Sequence, residues 1–244
     1  MNQPFSSKQL AVLDAMGIPV WQRRTVVIEQ DSAQPDSAGA QEIIQSAFEA
    51  PGVPGLAADA DWSQLRQMVS GCRACPLHAG RTNTVFGTGN PQADWLFVGE
   101  APGGEEDKQG EPFVGRAGQL LSAMLAALGL DREKIYIANV LKCRPPLNRD
   151  PQLTEVEQCE PFLLRQVELI QPKIIVALGR FAAHSLLRTD LAVGKLRNQQ
   201  HDYHNTPLVV TYHPAFLLRN PADKKKAWHD LCLARSVVKS GVMS

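Results

Sequence analysis

Trp95-Leu96-Phe97-Val98 runs directly into Gly99-Glu100-Ala101-Pro102-Gly103. An unbroken apolar run of this length reads as a strand covered on both faces, which is the habit of parallel sheets. The two glycines and the proline behind it force a tight turn that exposes backbone donors. Similar runs recur at Ile135 to Leu141, Ile174 to Leu178 and Leu208 to Tyr212. Helical periodicity falls at Gly118 to Leu128, Thr154 to Ile170, Phe181 to Leu187 and Ala222 to Val238, and Asp61 can cap an earlier helix ending near Gly71. Strands alternating with helices specify an α/β fold with a mostly parallel sheet covered on both sides. In such folds the loops leaving the strand C-termini carry the chemistry, and the distinctive residues stand there, at Gly99, Lys142, Gly179 and His213.

The chain has 244 residues, 44% hydrophobic and 20% charged, with 25 basic and 25 acidic side chains. This suits one α/β domain plus a smaller part, and excludes wholesale disorder. There is no apolar run of membrane-spanning length and no leader pattern, so the expected protein is cytoplasmic, without membrane contact, and monomeric. The balanced charge hides an asymmetry: residues 1–61 hold 8 acidic and 3 basic residues, which leaves 17 acidic and 22 basic from Trp62 onward. Only the second part suits a phosphate-rich partner. The expected organisation is a partner-binding segment at 1–30, a flexible linker at 31–60, rich in Ala, Gly, Pro, Ser and acids with a weak helix near Gln41 to Phe48, and the main domain at 61–244.

Five cysteines in such a chain do not suggest a disulfide framework. Cys72 and Cys75 form a Cys-x-x-Cys pair before Pro76, Cys143 follows a strand, and Cys159 sits on the next helix. Four thiolates so placed can close a zinc site or an iron-sulfur cluster, and spacing does not separate the two. Cys143 and Cys159 also read as plain core thiols, and Cys232, between Leu231 and Leu233, as core packing.

Around the turns, Glu105-Glu106-Asp107 argues against a phosphate cradle, since carboxylates repel phosphate. Phe113, flanked by Gly110 and Gly115, reads either as core or as a free-standing platform for a base. Asn139 ends an apolar strand and must find partners; its amide offers the donor and acceptor needed to read a pyrimidine edge, or it merely ties two loops. His213, in Tyr212-His213-Pro214, closes the last strand, and Arg219 with Lys224-Lys225-Lys226 follows.

Residues 71–232 resemble the iron-sulfur (family 4) uracil-DNA glycosylases through Cys72-x-x-Cys75, Gly99 to Gly103, Gly110 to Gly118, Asn139 to Pro146 and His213-Pro214. The resemblance implies a three-layer α/β/α fold preceded by a flexible N-terminal extension, and a [4Fe-4S] cluster on Cys72, Cys75, Cys143 and Cys159 in preference to zinc. It implies hydrolysis of the N-glycosidic bond of uracil in DNA, as part of base excision repair. Phe113 would stack on the base, Asn139 would bond its edge, and Glu106 would crowd C5 against thymine's methyl group. Glu100, with Gly99, Ala101, Pro102 and Gly103, would position uracil and water, and His213 would face O2. The turn carries no Asp, which suits a dissociative reaction that needs no strong base. Arg116, Lys142, Arg144 and Arg219 are the expected DNA contacts.

Gln9 to Arg24, with Trp21 before Gln22-Arg23-Arg24, is similar to the N-terminal peptide of the psi subunit of the bacterial DNA polymerase III clamp loader. It implies clamp-loader partners held through Trp21. The segment also reads as an apolar helix docked on its own domain. A competing expectation for the whole chain is a non-catalytic psi-like accessory subunit with a glycosylase-like body, and a third is a zinc-bearing single-strand binding module.

Overall fold

The structure is a computed structural model that describes residues 57–240. Trp21, the clamp-loader resemblance and the linker up to residue 56 lie outside the described residues; Ala57 and Ala60, expected in the linker, are instead buried in the third core cluster of the body. The first element, α1 (Trp62–Gly71), starts as expected: Asp61 accepts from the Gln64 amide at 2.8 Å, and the Gln64 side chain accepts from the Asp61 amide at 2.9 Å. This reciprocal cap satisfies two amides that a helix start otherwise leaves open.

The sheet then alternates with helices: β1 (Thr88–Gly89), β2 (Trp95–Gly99), α2 (Gly104–Gln109), α3 (Arg116–Leu128), β3 (Tyr136–Asn139), α4 (Leu153–Ile170), β4 (Ile174–Leu178), α5 (Arg180–Leu187), α6 (Val193–Leu196), β5 (Gln200–Tyr203), β6 (Thr206–Thr211), α7 (Pro214–Arg219) and α8 (Lys224–Ser240). The six strands order as β1-β3-β2-β4-β6-β5. The inner four are parallel, and the short edges β1 and β5 are antiparallel.

Strand alternation sends side chains to two cores. Leu96, Val98, Ala138, Ile175 and Val210 meet Leu163 and Val167 of α4 and Ala183 of α5. Trp95, Phe97, Ile137, Val176 and Val209 meet Leu121 and Leu125 of α3 and Leu231 of α8. The result is the three-layer α/β/α arrangement. A third cluster, with Leu65, Val69, Phe86, Leu141 and Phe162, ties α1 to the body and includes Cys143 and Cys159.

The four expected strands are present within a residue or two, except that β3 ends at Asn139 instead of Leu141. Sequence reading missed both edge strands. β5 and β6 join through His204 and Asn205, both in the left-handed region at φ 47 and 64, and no glycine marks that turn. It also missed α2, where Glu105, Glu106 and Asp107 sit in the first turn and favour the helix through its dipole. Cys232 is only partly buried.

Candidate active site

The C-terminal ends of all four parallel strands open into one cleft. Glu100 to Gly103 follow β2, Asn139 ends β3, Gly179 follows β4, and Tyr212 and His213 follow β6. Sequence order reverses around β2, because β3 lies on one side and β4 on the other. Ligands bind at such a reversal, since neighbouring loops part there and leave a crevice.

Phe113 forms part of the cleft wall, but it does not stand free between glycines as expected. It is 6% exposed and belongs to the core below the cleft. Its backbone is left-handed at φ 55, an uncommon state for a bulky residue. Three groups hold it there. The Arg132 guanidinium donates to the carbonyls of Phe113, at 3.0 Å, and Pro112. Glu106 Oε1 accepts from the amides of Val114 and Gly115 at 3.1 and 3.2 Å. Gly118 lets α3 pass the Phe113 carbonyl, which any Cβ would strike. Glu106 does line the cleft, but one carboxylate oxygen is already engaged in shaping this loop.

Asn139 is 2% exposed, and its Oδ1 is buried without a hydrogen-bond partner. It faces Gly99, where an added Cβ would collide with both Oδ1 and the Phe113 ring. A glycine at the end of β2 therefore leaves room between amide and aromatic. A buried amide oxygen without a partner is costly unless a ligand supplies the donor.

Lys142 corrects an expectation. The expected DNA contact is 1% exposed, and its Nζ donates to the Asn139 carbonyl at 2.8 Å and to Gln166 Oε1 at 2.6 Å. Gln166 in turn donates to the Phe86 carbonyl at 2.9 Å. Lys142 thus fixes the backbone of Asn139 from below and reaches no solvent. Lys142 follows a strand as its sequence position implies, but the direction of its side chain is a packing outcome.

His213 Nδ1 accepts from the Ala215 amide at 3.1 Å, so the neutral ring carries its proton on Nε2. Burial, assisted by Arg219 and opposed by Glu106, lowers its pKa to about 4. The ring lies 5.5 Å from that of Phe113. Gly179, at φ 90, allows the close approach, since a Cβ there would lie 2.7 Å from that of His213. Glu100 has its pKa raised to about 7 by burial and by neighbouring Asp150, against the opposing charge of Arg180.

Cys72, Cys75, Cys143 and Cys159 line a second cavity, together with Arg81, His78 and Lys142. Among the described residues no three His, Cys, Asp or Glu side chains gather as a single-ion site. All four thiols line this one cavity, so four sulfur donors stand together there. Arg81 Nη1 donates to Cys143 Sγ at 3.0 Å, and the Lys142 amide donates to Cys159 Sγ at 3.2 Å. Burial pushes the Cys159 thiol up to about 12 and raises Cys75 and Cys143 as well. Thiolates here would need positive charge beside them.

Of the remaining expected DNA contacts, Arg219 is exposed and lines the cleft. Arg144 is half-buried, with Nε on Asn148 Oδ1 at 2.8 Å. Arg116 is exposed at the start of α3 but does not line the cleft.

The profile of the Uracil DNA glycosylase superfamily matches residues 86–232, which span both the cleft and two of the cavity cysteines. The chain belongs to that superfamily. Among its relatives are proteins named Type-4 uracil-DNA glycosylase. That of Archaeoglobus fulgidus is 50% identical over 165 residues, covering 64% of this chain and 82% of the relative. That of Thermotoga maritima is 45% identical over 179 residues, covering 72% and 93%. That of Sulfurisphaera tokodaii is 44% identical over 171 residues, covering 66% and 78%.

Several residues of this superfamily member that shape its two sites were not singled out in the sequence. Arg132 sits in Asp131-Arg132-Glu133-Lys134, which reads as a solvated charge run; nothing local reveals that it reaches back to Phe113. Arg81, beside Cys143, is 62 residues away in sequence. Asp150 and Arg180 meet across the cleft at 3.2 Å. For these pairs only the fold supplies the proximity.

Proposed function

We infer that the protein is a uracil-DNA glycosylase that hydrolyses the N-glycosidic bond of uracil in DNA. The observation that carries the reading is the buried, unpartnered Oδ1 of Asn139 beside the ring of Phe113 and the neutral His213. An amide oxygen with its NH₂ suits the N3–H and O4 edge of a flipped uracil. Relatives named for this activity, at 44–50% identity, support the same reading.

The base must leave the stack before any side chain can reach its sugar bond. Phe113 then covers one face of uracil while Asn139 bonds its edge. As the bond lengthens, negative charge gathers on O2, and His213 Nε2–H donates to it. The neutral ring can take this role because its proton is on Nε2 while Nδ1 is held by the Ala215 amide. One such donor typically lowers the barrier by about 2.7–4 kcal/mol. Glu100, ionising near neutral pH, orients the water that attacks the sugar. Glu106 crowds C5, and its link to Val114 and Gly115 holds that crowding group in place.

Cys72, Cys75, Cys143 and Cys159 would hold a [4Fe-4S] cluster. When bound it would supply a covalent tie between the Cys72 loop, the loop after β3 and α4. Arg81 and the Lys142 amide would serve its thiolates as donors. The partner is uracil-containing DNA, met by Arg144 and Arg219, and the cytoplasm is the compartment. The accessory-subunit alternative is not favoured, since a scaffold has no physical need for Glu100, Phe113, Asn139 and His213 around one cleft. Incubation with a uracil-containing oligonucleotide should release free uracil and leave alkali-labile abasic sites. Binding without release would overturn the reading in favour of a binding module.

A further inference from the structure

Lys142 is the one basic side chain among the buried residues described, and the reaction as set out above does not use its charge. Among the described residues no carboxylate pairs with it. Buried Glu155 is taken by Arg149, buried Asp230 by Arg197, and buried Asp107 accepts from the Thr82 amide at 2.9 Å. The two acceptors that Nζ does meet, the Asn139 carbonyl and Gln166 Oε1, are neutral. An ammonium taken out of water is costly unless an opposite charge faces it. The groups that can supply one are the thiolates of Cys143 and Cys159, for Lys142 lines the cavity that all four cysteines share.

The same residue brackets the cavity and the cleft. Cys159 and Gln166 stand about two turns apart on α4 and so share one face of it. Lys142 engages both, with its amide on Cys159 Sγ at 3.2 Å and its Nζ on Gln166 at 2.6 Å. Gln166 Nε2 donates to the Phe86 carbonyl, and the Val85 amide donates to the Lys142 carbonyl at 2.8 Å, which closes the network away from solvent. Toward the cleft, the Val140 and Leu141 amides donate to the carbonyls of Gly99 and Glu100, each at 3.0 Å. Nζ therefore sets the stretch of backbone that carries Asn139 and is tied to Glu100.

We propose that Lys142 couples the four-thiol centre to the base pocket: its ammonium is the counter-charge of the thiolates, and its bond to the Asn139 carbonyl passes any shift of that centre to the amide that reads uracil. The proposal rests on the glycosylase reading and on a metal centre at the four cysteines. It makes Lys142 a positioning residue, since it touches neither the base nor the reacting atoms. The cavity fits such a centre through its own chemistry: four sulfurs line it, Arg81 and the Lys142 amide donate to two of them, and a buried cation stands beside. Thiolates gathered on a metal concentrate negative charge, and hydrogen bonds and positive charge around the sulfurs hold it.

The test uses the full chain purified without oxygen. Iron release to EDTA is followed by the loss of visible absorbance, and kcat, KM and inhibition by free uracil are measured separately on uracil-containing DNA. Lys142→Met keeps the bulk and removes the charge and both donated bonds. It should release iron roughly tenfold faster, the usual loss when a partner behind metal ligands is removed. It should also raise KM and the inhibition constant of free uracil several-fold, with kcat changed less. Gln166→Leu keeps the charge and removes one brace, so it should weaken inhibition by free uracil and leave iron release unchanged. Iron release and uracil inhibition in Lys142→Met equal to those of the unchanged protein overturn the coupling, even if the unfolding temperature falls. Faster iron release with no change in uracil inhibition overturns it as well. If Lys142→Met does not fold, Gln166→Leu decides, and unchanged inhibition by free uracil there overturns the proposal. Unchanged protein that lacks iron and sulfide would sink the metal centre, and unchanged protein that releases no uracil would sink the glycosylase reading, so the three failures are distinct.

Discussion

Arg132 holds Phe113 by its backbone: Nη1 donates to the Phe113 carbonyl at 3.0 Å while the same guanidinium reaches Pro112 and, at 3.3 Å, Ser122 Oγ. The aromatic is thereby kept at φ 55 against its own preference. Arg132→Ala should let the loop relax. We expect kcat/KM on uracil-containing DNA to fall roughly tenfold, mostly through KM, with about 1–3 kcal/mol lost in stability as two carbonyls lose their donor. Steady-state kinetics and denaturant unfolding check both. Unchanged KM with lowered stability would make Arg132 a structural residue only.

Asn139→Ala removes both bonds to the base edge. Each lost partner costs about 1–3 kcal/mol in a buried site, so with two lost excision should fall by roughly 30-fold or more. The free protein should lose less stability than a buried polar truncation normally costs, because Oδ1 has no partner to leave behind. Excision equal to the unchanged protein would refute this site.

The pH profile should report Glu100. Activity should rise with pH and reach half its plateau near the Glu100 pKa of about 7, and Glu100→Gln should abolish that limb. Stability follows the opposite sign. The raised pKa means that the folded chain keeps a proton the unfolded chain has lost, so this contribution fades as pH rises from 4.5 through about 7. Glu100→Gln should be the more stable protein at pH 8. His213, lowered from 6.5 to about 4, costs stability as pH falls across that interval. Thermal unfolding between pH 4 and 8 measures each.

Protein purified without oxygen should be brown and contain iron and sulfide. Cys143→Ala should lose the metal and lower the unfolding temperature before it affects the chemistry, while Cys232→Ala should leave iron content unchanged. Colourless, zinc-loaded protein that excises uracil would overturn the cluster assignment.

Lys142 and Arg219 should separate in salt. Arg219→Ala should weaken DNA binding and reduce the slope of log K against log salt by about one phosphate contact. Lys142→Met should leave that slope unchanged and destabilise the fold by about 1–3 kcal/mol, since the Asn139 carbonyl and Gln166 lose their shared donor. A changed slope in Lys142→Met would return this lysine to the DNA surface.

The α/β class, the parallel inner strands and the position of the chemistry were legible in the chain because they depend on local pattern. Four apolar runs with turn residues behind them specify buried strands, and the loops after those strands could only gather at one end of the sheet. Glu100, Asn139 and His213 were visible for the same reason, since each stands at a strand end, and the cysteines were visible as a Cys-x-x-Cys pair with two further thiols. What lay beyond reach was direction and distance. Lys142 and Arg144 flank Cys143 in sequence, yet one side chain turns into the core and the other toward the rim. Arg132, 19 residues from Phe113, and Arg81, 62 residues from Cys143, acquire their partners only when the layers pack. Periodicity tells which face of an element is buried; it carries no information about which distant group will meet a buried carbonyl or thiol, because that is decided by how the packed layers bring separate segments together.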